Sequence, residues 1–209
     1  MLVSPPHRRR LTTAAVVAVV ALVFAPTAHA GPLVAEAGRC PAQTLEQPFL
    51  RWADPANYML VPNGVLEGAR AWSLKGAAET VRGNEHFYVH DEDDDRSLAL
   101  PAASSATTSV VCVGIEYPSL RFFARNKGSS NSTLLVEVLY EDASGQVRLL
   151  PIGSLTSGSS WQPTVPLPLL VNLLPLLPDE KTPVKFRFTP QGAGEWSVDD
   201  IYVDPWRHR

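Results

Sequence analysis

Short stretches of alternating apolar and polar residues, each followed by turn-forming residues, restrict most strongly how this chain can fold. In VKFRFT (184–189) the apolar residues fall on one face of a strand and the two basic residues on the other. Loop sequences such as KGSSNS, TSGSS and PQGAGE separate the stretches, and no heptads, long helical patterns or internal repeats occur. The pattern predicts an all-β sandwich rather than alternating strands and helices. The clearest predicted strands lie at 109–117, 119–126, 133–142, 146–153 and 183–190, with a closing strand within 194–206.

The first 30 residues have the composition of a secretory signal peptide. Three arginines at 8–10 precede an apolar stretch at 11–25 that is short for a membrane span, and Ala-His-Ala at 28–30 matches an A-x-A cleavage site. The alternative is an uncleaved signal anchor. We therefore expect a secreted protein, extracellular or in the cell envelope, whose mature chain begins near Gly31.

The mature chain is acidic. Removing residues 1–30 takes away three arginines and no acids, so 15 basic residues remain against 21 acidic ones, a net charge of −6. Such a chain has no electrostatic attraction to phosphate backbones, so we expect no nucleic-acid partner. No second apolar stretch reaches spanning length, so we expect no membrane span in the mature chain. The sequence leaves the oligomeric state open.

Two cysteines, Cys40 and Cys112, follow the signal peptide. In an exported protein such a pair predicts one disulfide. Closing a loop of about 70 residues stabilises the fold by about 4 kcal/mol on the chain-entropy model. Two free thiols for metal binding or nucleophilic chemistry are the alternative, although neither cysteine has a C-x-x-C partner or a nearby histidine.

Familiar catalytic motifs are absent from the sequence, including G-x-S-x-G, H-E-x-x-H and the phosphate-binding loops. We therefore predict no catalytic residues. The acidic run NEHFYVHDEDDDRS (84–97) spaces Asp91, Asp93 and Asp95 like a calcium loop, but it lacks the glycine and the final glutamate of an EF-hand. A solvated acidic loop is the alternative. A glycoside hydrolase would have to take its carboxylates from this run.

Aromatic residues are numerous, with five tryptophans and five tyrosines. Their faces can stack on sugar rings while nearby polar groups bind the hydroxyls, or they can pack in the core. Strand alternation places Tyr140, Arg148 and Trp161 off the core face. These three residues are the predicted ligand-binding residues.

The opening stretch YMLVPNGVLEGARAWSLKGAAE (58–79) and the closing stretch GEWSVDDIYVDP (194–205) together resemble jelly-roll carbohydrate-binding modules of the galactose-binding-like class. The resemblance implies a jelly-roll β-sandwich in which the first and last strands lie side by side. It places the sandwich domain at 58–206. An N-terminal extension at 31–57, containing Cys40, precedes it, and a basic tail at 207–209 follows.

A structural calcium ion often joins the chain ends in this class, and the resemblance implies one here. The corresponding carboxylates are Glu67, Asp199 and Asp200, and Asn63 and Gly64 are candidates to supply backbone carbonyls. The family usually has an aromatic residue where this chain has a leucine, at position 66. Simple alternation places the two aspartates on opposite faces unless a bulge intervenes, so we expect only one of them to meet Glu67.

These observations favour a non-catalytic module that binds an extracellular glycan or a similar ligand. The alternative is a structural or adhesive protein of the cell surface or envelope that uses the sandwich for protein contacts. A hydrolase or lyase using the acidic run is a third interpretation.

Overall fold

The computed structural model describes residues 31–38, 40, 43–68, 72–114, 118–169 and 181–204. The predicted signal peptide, the basic tail and residues 170–180 of the proline-rich stretch lie outside them. No helix within the described residues is long and apolar enough to cross a membrane. The regular elements are α1 (Pro32–Ala37), a 3-10 turn (Leu50–Trp52), β1 (Met59–Leu60), β2 (Ser73–Lys75), β3 (Glu79–Arg82), β4 (Arg96–Pro101), β5 (Ser105–Thr107), β6 (Val111–Val113), β7 (Ser119–Asn126), β8 (Thr133–Glu141), β9 (Val147–Leu155), β10 (Gln162–Pro163), β11 (Leu167–Pro168), β12 (Thr182–Gln191) and β13 (Glu195–Asp204).

The strands form two antiparallel sheets packed as a jelly-roll β-sandwich, which confirms the predicted fold class. The seven-stranded sheet has the order β10-β7-β13-β4-β3, with β1 beside β13 and β11 beside β7. The six-stranded sheet has the order β2-β5-β12-β8-β9, with β6 beside β12. The chain crosses repeatedly between the sheets, as from β7 to β8 and from β12 to β13. The first and last strands pair, Met59 opposite Val203, which confirms the side-by-side arrangement that the resemblance implied.

The main core lies between the sheets and follows the alternation seen in the sequence. On β12, Val184, Phe186 and Phe188 are fully buried, while Lys185 and Arg187 are half-buried on the outward face. Facing strands contribute further apolar residues, and Phe122 meets Phe188 edge to face at 5.2 Å. Burying a side chain of this size stabilises the fold by about 1.5–3 kcal/mol, which is why the register of β12 is well specified.

The extension before β1 is attached to the sandwich at several places. Cys40 and Cys112 form the predicted disulfide, across 72 residues. Helix α1 buries Leu33 and lies against β8 and β12 of the six-stranded sheet. Further along, the turn at 47–53 lies over the outward face of the seven-stranded sheet.

That outward face carries a second apolar cluster, which we call the outer aromatic cluster. Phe49 of the extension stacks on Phe123 of β7 at 5.6 Å and meets Tyr202 of β13 edge to face at 5.7 Å. Each member is no more than 4% exposed. The extension therefore covers this face of the sandwich. The cluster consists of Phe49, Tyr58, Phe123, Trp161 and Tyr202.

Candidate functional site

A β-bulge in the last strand places the two adjacent aspartates. The pairing of β13 with β7 shifts register between Asp199 and Tyr202, and Asp200 has a left-handed backbone with φ 46°. Val198 points into the main core before the bulge, and Ile201 does so after it. A bulge therefore does intervene, and simple alternation no longer places the two acids on opposite faces. Both are buried, and they belong to one carboxylate cluster.

Glu85, which is fully buried, is the third member of this carboxylate cluster. Its backbone N–H donates to Asp199 Oδ2 at 2.8 Å, and Asp199 Oδ1 accepts from the N–H of Asp200 at 3.0 Å. The Glu85 carboxylate in turn accepts hydrogen bonds from the N–H groups of Phe87 and Val89. The loop at 85–89 is therefore folded around its own acid and fixed to β13.

Burial raises the pKa of Asp199 to about 8, although the two N–H donors oppose the shift. Burial also raises the pKa of Asp200 to about 9, and the neighbouring charges of Asp199, Glu85 and Asp94 add to the effect. Asp94 has a raised pKa because of its burial. Within the described part of the chain, Asp200 Oδ1 and Asp94 Oδ2 are buried without a hydrogen-bond partner. One oxygen of this cluster and one of Asp94, whose charge acts on it, are therefore unsatisfied.

Only some of the residues predicted to bind calcium lie at the bulge. The carbonyl of Gly64 accepts from the N–H of Ile201 at 3.2 Å, so the opening turn packs on the closing strand. The side chain of Asn63 donates to the carbonyl of Gly68. Glu67 accepts from the N–H groups of Asp95 and Arg96 at 2.9 Å, and its charge acts on Asp94.

Across the described residues, no group of three or more His, Cys, Asp or Glu is placed to hold a metal ion. A site here would have to combine one or two carboxylates with backbone carbonyls, which hard cations accept. Calcium binding stays a prediction.

A cleft of about 570 Å³ opens where the edge strands β1 and β6 meet the extension. Its walls come from three parts of the chain: the extension, the strand edges and the loop containing His90. Seven of the lining residues are apolar and six are polar. The lining residues are Glu36, Ala37, Gln43, Thr44, Glu46, Met59, Leu60, Pro62, His90, Ser109, Val110, Val111 and Cys112.

The polar groups of the cleft adjoin the carboxylate cluster. His90 Nδ1 lies 3.7 Å from Glu46 Oε1 and 3.5 Å from the hydroxyl of Tyr202. Burial, with the charges of Asp200 and Glu46, raises the pKa of Tyr202 well above its ordinary value. Tyr202 thus links the cleft to the bulge. Ser109 Oγ is buried without a hydrogen-bond partner in the described structure.

The three predicted ligand-binding residues are not brought together on one sheet. Tyr140 and Arg148 are cross-strand partners in the six-stranded sheet, whereas Trp161 precedes β10 of the other sheet. Placing Tyr140 off the core face is wrong, because it packs against the main core. Trp161 lies off the main core but is 4% exposed within the outer aromatic cluster. Arg148 is exposed and pairs with Asp142 at 2.7 Å. Ligand binding by these residues stays a prediction.

Sequence reasoning missed four residues that now define the region: Glu85, Glu46, His90 and Ser109. Glu85 and His90 fall within the acidic run, where nothing distinguishes them from the neighbouring exposed acids. Glu46 lies in the extension, which carries no strand pattern to show what it packs against. The sequence contains no local signal that would have selected them.

No protein-family model and no curated protein matches the chain. Among similar solved structures is the enzymatically active domain of bacteriophage CBA120 tailspike protein 4, at 19% identity and TM-score 0.48, covering 68% of this chain and 21% of that one. Another is the CBM22-1 xylan-binding domain of Paenibacillus barcinonensis Xyn10C, at 11% identity and TM-score 0.47, covering 67% of this chain and 88% of that one.

A third is TmCBM61 in complex with β-1,4-galactotriose, at 14% identity and TM-score 0.41, covering 70% of this chain and 98% of that one. The chain thus spans about a fifth of the tailspike domain but most of the two carbohydrate-binding modules. Carbohydrate-binding modules are the class that the opening and closing sequences resemble. With identities below 20% and TM-scores below 0.5, the ligands in these names belong to those proteins.

Proposed function

We propose that the chain is an exported, non-catalytic module that binds a glycan. One sugar residue of this glycan binds in the cleft between the extension and the sandwich edge. The single observation that carries this proposal is the cleft itself. Its volume of about 570 Å³ falls within the ordinary range of small-ligand sites, about 300–1,000 Å³.

The chemistry of the cleft suits a hydroxyl-rich ligand. Leu60, Pro62 and Val110 supply apolar surface for the C–H face of a sugar ring. Glu46 is a hydrogen-bond acceptor, and Ser109 Oγ has no protein partner to lose among the described residues. A buried hydroxyl without a partner is costly, so a ligand that pairs with it after rotation of the Ser109 side chain toward the cleft gains affinity.

The test is isothermal titration of the secreted protein with a panel of neutral, acidic and amino-sugar oligosaccharides, preceded by a glycan array. For the sugar that binds, Glu46→Gln should weaken the Kd by about 10- to 100-fold, because a hydrogen bond to a charged group contributes about 1.5–3 kcal/mol. Ser109→Ala should weaken it by about 3- to 10-fold.

Matched controls outside the cleft are Glu79→Gln and Ser154→Ala, both at exposed positions. They should leave the Kd unchanged. A sugar that binds equally well to all four variants would place the site elsewhere, and an array with no retained glycan would contradict the proposal.

A second candidate function, adhesion through protein contacts, is favoured by one surface patch. Leu50 and Tyr88 are 55% and 49% exposed, and Arg51 lies 4.9 Å from the ring centre of Trp52 and 5.1 Å from that of Phe87. Exposed aromatic residues beside arginine are typical of protein interfaces.

Periodate-treated cell envelopes separate the two functions, since periodate destroys sugar diols and leaves most of the protein intact. Retention that survives periodate and falls with Leu50→Asp supports adhesion. Retention that is lost after periodate supports glycan binding.

We also propose that a calcium ion stabilises the bulge in the last strand. Asp200 is the residue of the predicted set that best fits this role, because its Oδ1 is buried without a partner in the described structure. Asp94, outside the predicted set, offers a second such oxygen. Asp199 instead uses both oxygens on backbone N–H groups. The ion would supply positive charge to a cluster of buried acids.

A further inference from the structure

The first described residues of the chain are fixed to the six-stranded sheet. The backbone N–H groups of Leu33 and Val34 both donate to Glu141 Oε1, the second at 3.1 Å. At the other end of α1, Glu36 pairs with Lys185 of β12 at 2.7 Å. Helix α1 is thus held at both ends by side chains of β8 and β12.

Gly31, immediately before this helix, is packed directly on the same carboxylate. A Cβ atom at position 31 would lie 2.6 Å from Glu141 Oε2 and 2.5 Å from the carbonyl oxygen of Gly145, so no side chain fits. Standard backbone dimensions place the α-nitrogen about 2.5 Å from that Cβ position. The nitrogen of Gly31 therefore lies within about 5 Å of Oε2.

Glu141 is a buried carboxylate that needs a counter-charge. It is 5% exposed, and none of the ion pairs found among the described residues includes it. Leaving a buried carboxylate without a cation is costly even when N–H groups bind it. The α-nitrogen of Gly31 is within reach, and it carries a charge only when it is the free end of the chain. Cleavage at the predicted A-x-A site would make it so.

We propose that Gly31 is the amino terminus of the mature protein and that its ammonium group is the counter-ion of Glu141. Hydrolysis of the bond between Ala30 and Gly31 by a signal peptidase uses one water molecule. It breaks the amide C–N bond, leaving a carboxylate on Ala30 and an amine on Gly31 that takes up a proton at neutral pH. The proposal rests on the export that forms part of the proposed function.

Processing then bears on the cleft. Glu36 and Ala37 line the cleft, and they belong to the helix that Glu141 holds at its first turn. The proposed ion pair would therefore fix the start of the helix that forms this wall. The close packing around position 31 also explains why a glycine follows Ala30, the last residue of the cleavage motif.

The experiment has two parts. First, the full chain is expressed in an exporting host, and the intact mass of the secreted protein should correspond to a chain that begins at Gly31. Second, residues 31–209 are produced in three forms by release from a removable fusion: with free Gly31, with Nα-acetylated Gly31 and with Ala30 retained. The blocked and extended forms should melt about 3–8 °C lower than the free form.

The variant Glu141→Gln should remove the difference in Tm between the free and acetylated forms. The variant Glu36→Gln, on the same helix, should preserve it. If Glu141→Gln does not fold, the three wild-type forms still decide the question. Equal melting temperatures for them, or a secreted chain that begins elsewhere, would overturn the proposal. None of these readouts involves a glycan, so they stand or fail separately from ligand binding.

Discussion

The two outward faces of the sandwich carry their charged groups in opposite ways. On the six-stranded sheet, Arg187 pairs with Glu137 at 2.6 Å while the arginine side chain remains 34% exposed. On the seven-stranded sheet, Arg121 pairs with Asp54 at side-chain exposures of 8% and 17%. In the first pair only the arginine is in contact with water, since the Glu137 side chain is 10% exposed, whereas the outer aromatic cluster and the extension cover both members of the second pair.

This difference shows which face of the molecule can shift pKa values and strengthen ion pairs. Water screens charges on an open face, so pairs there have weak effects. Under a cover the same groups lose water, and their pKa values and pairing energies change strongly. The raised pKa values of Asp199 and Asp200 belong to the covered face. The extension is therefore the element that removes water from the charged groups of this face.

Removing the centre of the cover should have the largest effect. Phe49 is completely buried within the outer aromatic cluster, so Phe49→Ala should lower the free energy of unfolding by about 3–5 kcal/mol. Leu149→Ala on the other sheet, where the side chain is 45% exposed, should change it by about 0.5 kcal/mol or less. Urea unfolding measures both values, and similar losses would mean that the cover does not stabilise the fold.

The two arginines test the comparison directly. Arg121 also donates to the carbonyl of Thr164 at 2.7 Å and lies 4.4 Å from the ring centre of Phe49. Arg121→Met should cost about 3–5 kcal/mol because Asp54 loses its buried partner. Arg187→Met should cost less, about 1–3 kcal/mol, because Glu137 also loses a partner but the arginine itself is 34% exposed. Equal urea midpoints for the two variants would contradict the distinction between the faces.

Calcium should stabilise the covered face specifically. At a calcium concentration about 100 times the Kd, the gain in unfolding free energy is about 2.7 kcal/mol. Thermal unfolding with calcium and with chelator measures it, and Asp200→Asn should abolish the difference. The control Asp93→Asn, in the exposed part of the acidic run, should preserve it. An unchanged Tm of the wild type after chelation would exclude a structural ion.

A change of one pH unit should have the smallest effect on the unfolding free energy, counted for each titrating acid. The folded pKa values of Asp199 and Asp200, about 8 and about 9, lie above the ordinary value of 3.8. The folded state therefore binds more protons than the unfolded state between pH 4 and pH 8, and stability falls as the pH rises. In chelator, each acid should contribute a loss of about 1.4 kcal/mol between pH 6 and pH 7.

Asp200→Asn should make this slope about half as steep, because one of the two titrating groups is removed. Urea unfolding at the two pH values gives the slope. A wild-type protein whose stability rises over this interval would show that the two acids are ionised in the folded state.

Much of the fold followed from local pattern. The alternation in VKFRFT predicted the buried and outward residues of β12, and the isolated cysteine pair predicted the disulfide. The predicted strands at 133–142 and 146–153 match β8 and β9, and the turn between them is closed by the N–H of Gln146, which donates to Asp142 Oδ1 at 3.0 Å. These features depend on neighbouring residues or on a single covalent pair, so the sequence contains what determines them.

Alternation failed where the backbone departs from a regular strand. One additional residue at Asp200 places both aspartates in the same buried cluster. Tyr140 was placed off the core face although it packs against the main core, and the sequence gave no sign that other residues cover Trp161 in the outer aromatic cluster. Each error concerns contacts with a distant part of the chain rather than the strand itself.

The sequence by itself thus determined that this protein is a disulfide-linked β-sandwich whose first and last strands meet. Strand periodicity and the end motifs depend only on residues that are consecutive in the chain. Only the tertiary structure decided which acids lose their water. It brings the extension at 46–58, the loop at 85–90 and the bulge at 199–202 onto one face of one sheet. A carboxylate's environment depends on what covers it, and the covering residues here lie more than 100 positions away along the chain.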